Sequence, residues 1–421
     1  MNNILKKICI MFAITGFLIS QDYNSVLKIR YNSTNDSFWN LNNNRGKYIH
    51  DNEIAYEINF NKSKIEYKIN ITNAYKKNKK FSMGESFLKY SLSDKTFLRL
   101  GNYYRDYSLY LNDNLSAGHI LISNNAPPIP KIGLVSTKKI KKNIELKLGI
   151  SHGWLKKENF YTKTPLLHEK FVYLNISKKN NLFSVGLAHA AMWGGAGPDY
   201  KNNEWEGYIN FNHSVTLRNF LKVFISDDGK YQPPHANSLG NHLGIWDFSY
   251  QKKSSDKIFK TYYQHIFDDT SGLRFANKYD GLWGIELENY LPKMTIVLEY
   301  LSTSNALINP PYQLDYYYYN YEYRLGWSYK SHVLGNPFIY SGAGNPFYDP
   351  AKNFKEINVL NLAFSGELRS GYFLLKAAKE LNSDNQINYK ILFGKNFFEN
   401  LVLNASLFNS KEISLGLNYI F

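Results

Sequence analysis

Two neighbouring carboxylates, Asp268 and Asp269, stand in the run HIFDDTSGLR (His265–Arg274), with Ser271 and Arg274 just beyond. Paired carboxylates are the groups that hydrolyse glycosides. Adjacent residues on a strand project to opposite faces, so this pair is poorly placed to flank one bond unless the run is a turn. Asp-Asp-Thr-Ser-Gly also reads as a turn that satisfies its own backbone, and Asp268 with Arg274 as a pair bracing a polar interior. The ten histidines show no metal-ligand spacing. His152, His168, His189, His242 and His265 read as hydrogen-bonding residues of an interior. No Gly-x-Ser-x-Gly elbow and no phosphate-cradling loop occurs. These residue types point to no metal, no cofactor and no catalytic residue, with a hydrolase as a minor rival.

The elements that must hold these residues are strands. Ile54, Tyr56, Ile58 and Phe60 alternate with Glu53, Ala55, Glu57 and Asn59. The same period of two recurs over Lys64–Ile71, Ile144–Ser151, Met294–Tyr300 and Leu401–Leu407. Each parity is one face, so charges share one side and apolar groups the other. Segments of about 8–11 residues match tilted membrane strands. Turn signals separate them at Lys178–Asn181, Asp227–Gly229 and Ser254–Asp256. Roughly 18 to 20 such segments are legible, enough for a large outer-membrane barrel. Aromatic residues make up 16% of the chain while mean hydropathy is −0.42. That combination suits strands facing lipid on one side and a polar lumen on the other. The expected fold is all-β: a transmembrane antiparallel β-barrel of about 18 strands, its lumen partly plugged by loops or short helices. The irregular stretches 21–52, 102–130, 190–204, 227–243 and 303–320 supply those loops, with 21–52 as an N-terminal periplasmic segment.

The chain ends complete the picture. Lys6 and Lys7 precede the apolar run Ile8–Ile19 and the small residue Ser20, the pattern of a cleavable signal peptide over residues 1–20. The single cysteine, Cys9, falls inside it, so a mature chain has no thiol chemistry. Net charge is +15, spread along the chain rather than clustered. An anionic partner and a plain bias toward lysine both fit it, and an exported chain excludes nucleic acid. At the other end, Ile413, Leu415, Leu417, Tyr419 and Phe421 share one face. They read as the closing strand, expected to pair with a first strand near Glu53–Phe60. Leu417, Tyr419 and Phe421 also resemble the terminal signal by which other outer-membrane proteins engage the barrel-insertion machinery.

A family becomes visible in the irregular stretches. The blocks LSAGHILISNNAPPIPKIGL (Leu115–Leu134), LLHEKFVYLNIS (Leu166–Ser177) and GLAHAAMWGG (Gly186–Gly195) resemble the Wzi family of capsule-assembly proteins. NSLGNHLGIWDFSY (Asn237–Tyr250), YYQHIFDDTSGLRFANKYDGLWGIELEN (Tyr262–Asn289) and LGWSYKSHVLGNPF (Leu325–Phe338) follow in the same order. Pro127 and the run LSTSNALINP (Leu301–Pro310) depart from the pattern expected of that family. The resemblance implies a non-enzymatic, lectin-like protein of the Gram-negative outer membrane that binds exported capsular polysaccharide and organises it at the surface. Its partners would be capsular or other surface polysaccharide and outer-membrane lipid. Glycan binding needs aromatic faces and planar hydrogen-bonding groups. Tyr316, Tyr318 and Arg324 in DYYYYNYEYR, Trp193 in MWGGAG, and Asp268 with Arg274 are the candidates. An aromatic girdle and a lumen-plugging loop are the plainer uses of the same residues. A porin or specific uptake channel is the alternative function, and an open lumen would favour it.

Overall fold

A computed structural model describes residues 23–32, 37–46, 52–75, 81–198, 211–227, 238–306, 315–340, 342–409 and 412–421. The expected signal peptide over residues 1–20 lies outside the described residues. The first six strands are β1 Tyr23–Asn32, β2 Glu53–Lys62, β3 Ile65–Ala74, β4 in two pieces (Phe81–Met83 and Ser86–Ser93), β5 Thr96–Tyr103 and β6 Ile129–Lys141. Next come β7 Ile144–Trp154, β8 Leu166–Lys178, β9 Asn181–Trp193, β10 Asn241–Ser254, β11 Lys257–Phe267 and β12 Gly281–Glu288. The wall ends with β13 Met294–Ser302, β14 Asn358–Leu368, β15 Gly371–Glu380, β16 Asn388–Phe398, β17 Leu401–Phe408 and β18 Glu412–Ile420. Both pieces of β4 pair with β3, so the nineteen sheet segments make eighteen strands. All neighbours are antiparallel, and β18 pairs with β1 from Val26↔Ile420 to Asn32↔Ser414, which closes the barrel. No helix among the described residues is long and apolar enough to cross a membrane.

The closing partner differs from the expected one. Residues 23–32, read from sequence as irregular, form β1, which lies between β18 and the Glu53–Lys62 strand. Its outward face is only Leu27, Ile29 and Tyr31, while Lys28 and Arg30 reach Glu57 and Glu53 at 3.1 and 3.0 Å. Three apolar positions beside two cations are a weak pattern in sequence, but the register completes them. The Phe421 amide donates to the Ser25 carbonyl at 2.9 Å, so the aromatic end is held into the seam.

Parity sorts the wall. Ile150, Val172, Leu174, Leu298, Leu360, Leu362, Ile413 and Leu415 stand outward and exposed, a belt for lipid. The other parity carries ion pairs: Lys131–Glu169 at 2.6 Å, Arg99–Asp106 at 2.7 Å and Lys260–Glu286 at 2.8 Å. Outward aromatics border the belt, with Phe183 on Tyr250 at 4.6 Å and Trp283 stacked on Tyr263 at 3.7 Å. At one end, seven of the eight connections are two residues long. The other end carries the long connections 33–52, 104–128, 155–165, 194–240, 268–280 and 303–357. In barrels of this kind the long loops face outward from the cell.

Candidate functional site

The lumen is occupied. The connection 104–128 turns inward and buries Tyr107, Leu111, Leu115, Ile120, Leu121 and Ile122 among wall residues. Three wall carboxylates hold it. Glu169 on β8 accepts from Tyr107 Oη at 3.2 Å, Lys131 Nζ at 2.6 Å and Ser151 Oγ at 2.8 Å. Asp247 on β10 accepts from Ser108 Oγ at 2.5 Å, from Tyr173 Oη at 2.7 Å, and from the Tyr110 hydroxyl. Glu299 on β13 accepts from Ser116 Oγ at 2.7 Å, the Ala117 amide at 2.6 Å, Tyr262 Oη at 2.6 Å and Asn361 Nδ2 at 3.0 Å. Lys376 on β15 donates to the Ser116 carbonyl and lies 3.8 Å from the Trp39 ring centre. A buried carboxylate is tolerable only when hydrogen bonds replace its water, and both oxygens of Glu169, Asp247 and Glu299 accept such bonds.

Glycines on the wall set the reach of the tyrosines. A Cβ at Gly186 would fall 2.2 Å from the Tyr173 ring, and one at Gly284 2.2 Å from the Tyr262 ring. Each ring lies flat over its cross-strand glycine, which aims one hydroxyl at Asp247 and the other at Glu299. Within the plug, His119 Nδ1 accepts the amides of Leu121 and Ile122 at 3.0 and 3.2 Å. Nε2 therefore carries the proton and donates to Ser108 Oγ at 2.9 Å. Burial, reinforced by nearby Arg105, holds the His119 pKa well below its ordinary value, which keeps it neutral.

Two further segments lock the plug. Residues 315–340 cover it: Trp327 Nε1 donates to the Leu121 carbonyl at 2.8 Å, Tyr318 Oη to Ile120 at 2.5 Å and Asn336 Nδ2 to Gly118 at 2.7 Å. Residues 37–46 add Asn43 Nδ2 to the Ala117 carbonyl at 2.8 Å and stack Phe38 on Phe338 at 4.3 Å. On the short-turn side two cavities remain. One of about 680 Å³ is lined by Arg45, Lys68, Glu85, Arg99 and Asp113, and the other, of about 660 Å³, by Trp39, Asn112, Lys293, Lys376 and Lys390.

On the loop side the covering segment and the residues that follow it, 342–354, present an aromatic surface. Tyr340 is 54% exposed and Phe347 55%. Tyr340 meets Tyr348 edge-on at 5.5 Å, Tyr348 neighbours Tyr319 at 6.3 Å, and Tyr316 meets Phe354 at 5.4 Å. Gly342, at φ 72°, makes the turn possible, since a Cβ there would fall 2.2 Å from Tyr348. Arg324 threads between the segments, donating to the Pro346 carbonyl at 3.1 Å and to the Tyr319 hydroxyl.

The sequence candidates therefore separate. Tyr316 is half-buried within this surface, and Tyr318 and Arg324 are buried beneath it. Asp268 lies near Asp315; its Oδ1 is shut off from solvent without a hydrogen-bond partner. Burial first, then Asp315 and Asp269, pushes its pKa well above the carboxylate range. Asp269 instead caps the turn Thr270–Leu273, accepting the Ser271 and Gly272 amides at 2.7 and 3.1 Å. Arg274 is exposed on that turn, which folds over the outer wall and stacks Phe275 on His265 at 4.2 Å. Trp193 also faces outward, 3% exposed beneath a short helix. The expectation that His152, His168, His189, His242 and His265 face the lumen is corrected by register: all five share the outward parity of their strands. Tyr340 and Phe347 were not singled out in sequence, although aromatics interleaved in NPFIYSGAGNPFYDP are their signal. Among the described residues, no group of three or more His, Cys, Asp or Glu could hold a metal ion.

The sequence profile of the family described as "Capsule assembly protein Wzi" matches residues 30–365, which include the plug, the cover and most of the wall. The chain belongs to the Wzi family of capsule assembly proteins. No curated protein matches it. Among solved structures, Acinetobacter baumannii OccAB4 is similar at 9% identity over 95% of this chain and 97% of that one, with a TM-score of 0.43. A triple mutant of Rhodopseudomonas blastica porin gives 7% identity over 95% and 99%, with a TM-score of 0.39. Salmonella typhi OmpF with daunomycin gives 8% over 95% and 96%, with a TM-score of 0.38. The eighteen-strand closure of this Wzi family member rests on its own register rather than on these likenesses.

Proposed function

We propose that this Wzi family member is a non-enzymatic outer-membrane protein that binds exported capsular polysaccharide on its loop-end surface and holds it at the cell. The observation that carries this reading is the lumen interlocked by three segments beneath an exposed aromatic face. Sugar rings stack on such faces, and neighbouring polar groups read their hydroxyls. Tyr340 and Phe347 serve as stacking faces beside Tyr316. Tyr318 and Arg324 position the segment from below, and Asp268, close to Tyr318 and Asp315, would support it there. Trp193 and Arg274 would be reached only from the outer rim. A cleaved signal peptide delivers the chain, and the Leu417-Tyr419-Phe421 end engages the insertion machinery.

The uptake-channel alternative requires the plug to leave the lumen. The test is deletion of the gene, followed by scoring of cell-attached and released capsule. Capsule is expected to shift from cells to medium, with return on complementation. Unchanged retention would end the proposal.

A further inference from the structure

The helix Leu217–Ile225 does not belong to the plug. It lies on the outer wall at the loop end, over β7–β10. Phe220 meets His152, His168 and Trp193 at 6.2, 5.2 and 5.7 Å, and Phe224 meets His168 at 5.6 Å. The wall residues that Phe220, Val223 and Phe224 pack against, His152, His168, Ala191 and Trp193, are all on the outward parity. The helix is closed at both ends. Thr216 Oγ1 accepts the Asn219 amide at 3.2 Å, and Ser226 ends it in the left-handed region at φ 56°. Lys170 on β8 donates to the Phe224 carbonyl, a cation at the negative end of the dipole.

Its placement answers a problem of the wall. His168, His189 and His242 project outward just above the lipid belt of Val172, Val185 and Leu174, and polar groups facing hydrocarbon are costly. The helix covers them, and His189 meets His242 at 3.0 Å beneath it. The helix then presents its own far side. Leu217 is 74% exposed, Leu221 53% and Ile225 69%, with Val215 and Phe224 beside them. These apolar groups continue the lipid belt outward. Arg218 and Lys222 flank them, and no acidic residue lies between Thr216 and Ser226. An apolar face edged by cations, level with the belt's outer border, is the pattern of an interfacial helix facing anionic lipid.

We propose that Leu217–Ile225 binds lipid A, the phosphorylated acylated glycolipid of the outer leaflet. Leu217, Leu221 and Ile225 enter its acyl layer, and Arg218 reaches its phosphate. The test uses the folded mature barrel in vesicles. A fluorescent label on Leu221→Cys is quenched by spin-labelled acyl chains and protected from aqueous iodide, whereas the same label on Tyr340→Cys is open to iodide. Equal iodide quenching at both positions overturns the insertion. In the second arm, bis-phosphorylated lipid A binds about five-fold tighter than its dephosphorylated form, and Arg218→Gln abolishes the difference. A preference that survives Arg218→Gln, no preference at all, or equal binding to phosphatidylglycerol overturns the phosphate assignment. Arg218 is exposed on the helix, so its replacement removes no core contact.

Discussion

Replacing Glu299 by alanine should unlock the plug. Glu299 receives four hydrogen bonds, two from the plug (Ser116 Oγ and the Ala117 amide) and two from the wall (Tyr262 Oη and Asn361 Nδ2). Bonds to a charged acceptor contribute about 1.5–3 kcal/mol each, and stranded donors add their own penalty. The neighbouring 660 Å³ cavity, lined by Leu115 and Lys376, admits water that recovers part of this. A net loss of about 2–4 kcal/mol for plug docking follows, because four bonds in one network do not add. That raises the population of undocked plug roughly 30- to 1000-fold, at 1.4 kcal/mol per decade. Hydrogen exchange of the amides at Ala117, Gly118 and Ile120 should speed up by that factor. Planar-bilayer recordings should show transient openings that the parent protein lacks. Glu299→Gln keeps the volume and one acceptor oxygen, so it should lie between the two. Exchange within two-fold of the parent, with no openings, would refute the carboxylate clamp.

Other outcomes follow from the same contacts. Gly284→Ala places a Cβ against the Tyr262 ring and should loosen the same plug amides by about 1–3 kcal/mol through overpacking, read by exchange. Asp280, between strands, accepts from the Asn305 amide and Nδ2 at 3.0 Å and from Tyr317 Oη at 2.8 Å. Burial nevertheless raises its pKa to about 6. A raised carboxyl stabilises the fold below its unfolded value near 3.8, and this contribution is lost as pH rises through about 6. Thermal unfolding of Asp280→Asn should lose that pH dependence between pH 4 and 7, an effect of at most about 3 kcal/mol. Gly342→Val should distort the turn under Tyr348 and weaken polysaccharide binding while leaving barrel folding, read by heat-modifiable gel migration, intact.

The wall was legible because period-two alternation is a local property. An antiparallel barrel of roughly 18 to 20 strands and a lumen carrying charge follow from it. β1 was missed because only Leu27, Ile29 and Tyr31 mark its lipid face. The clamps were hidden for a different reason. Glu169, Asp247 and Glu299 each look like an ordinary lumen charge, and their partners lie 62, 139 and 183 residues away in Tyr107, Ser108 and Ser116. Sequence spacing holds no trace of such pairings. The histidines were misplaced although their parity was readable: His168 shares its face with Val172 and Leu174, the lipid side. Trp193 failed to show its location because the helix that covers it is 24 residues downstream. In DYYYYNYEYR the aromatic run was visible, but only the fold shows that Tyr318 is a buried pin to Ile120, while Tyr340 and Phe347 carry the exposed faces.

The most direct measurement is titration of the folded barrel, in nanodiscs, with capsular polysaccharide purified from the same cells. The parent protein should bind saturably, and Tyr340→Ala with Phe347→Ala should weaken binding at least about ten-fold, two stacked rings at roughly 1 kcal/mol or more each. The variant barrel should fold as the parent does. Binding that is absent in the parent, or unchanged when both rings are removed, would contradict the loop-end surface as the polysaccharide site.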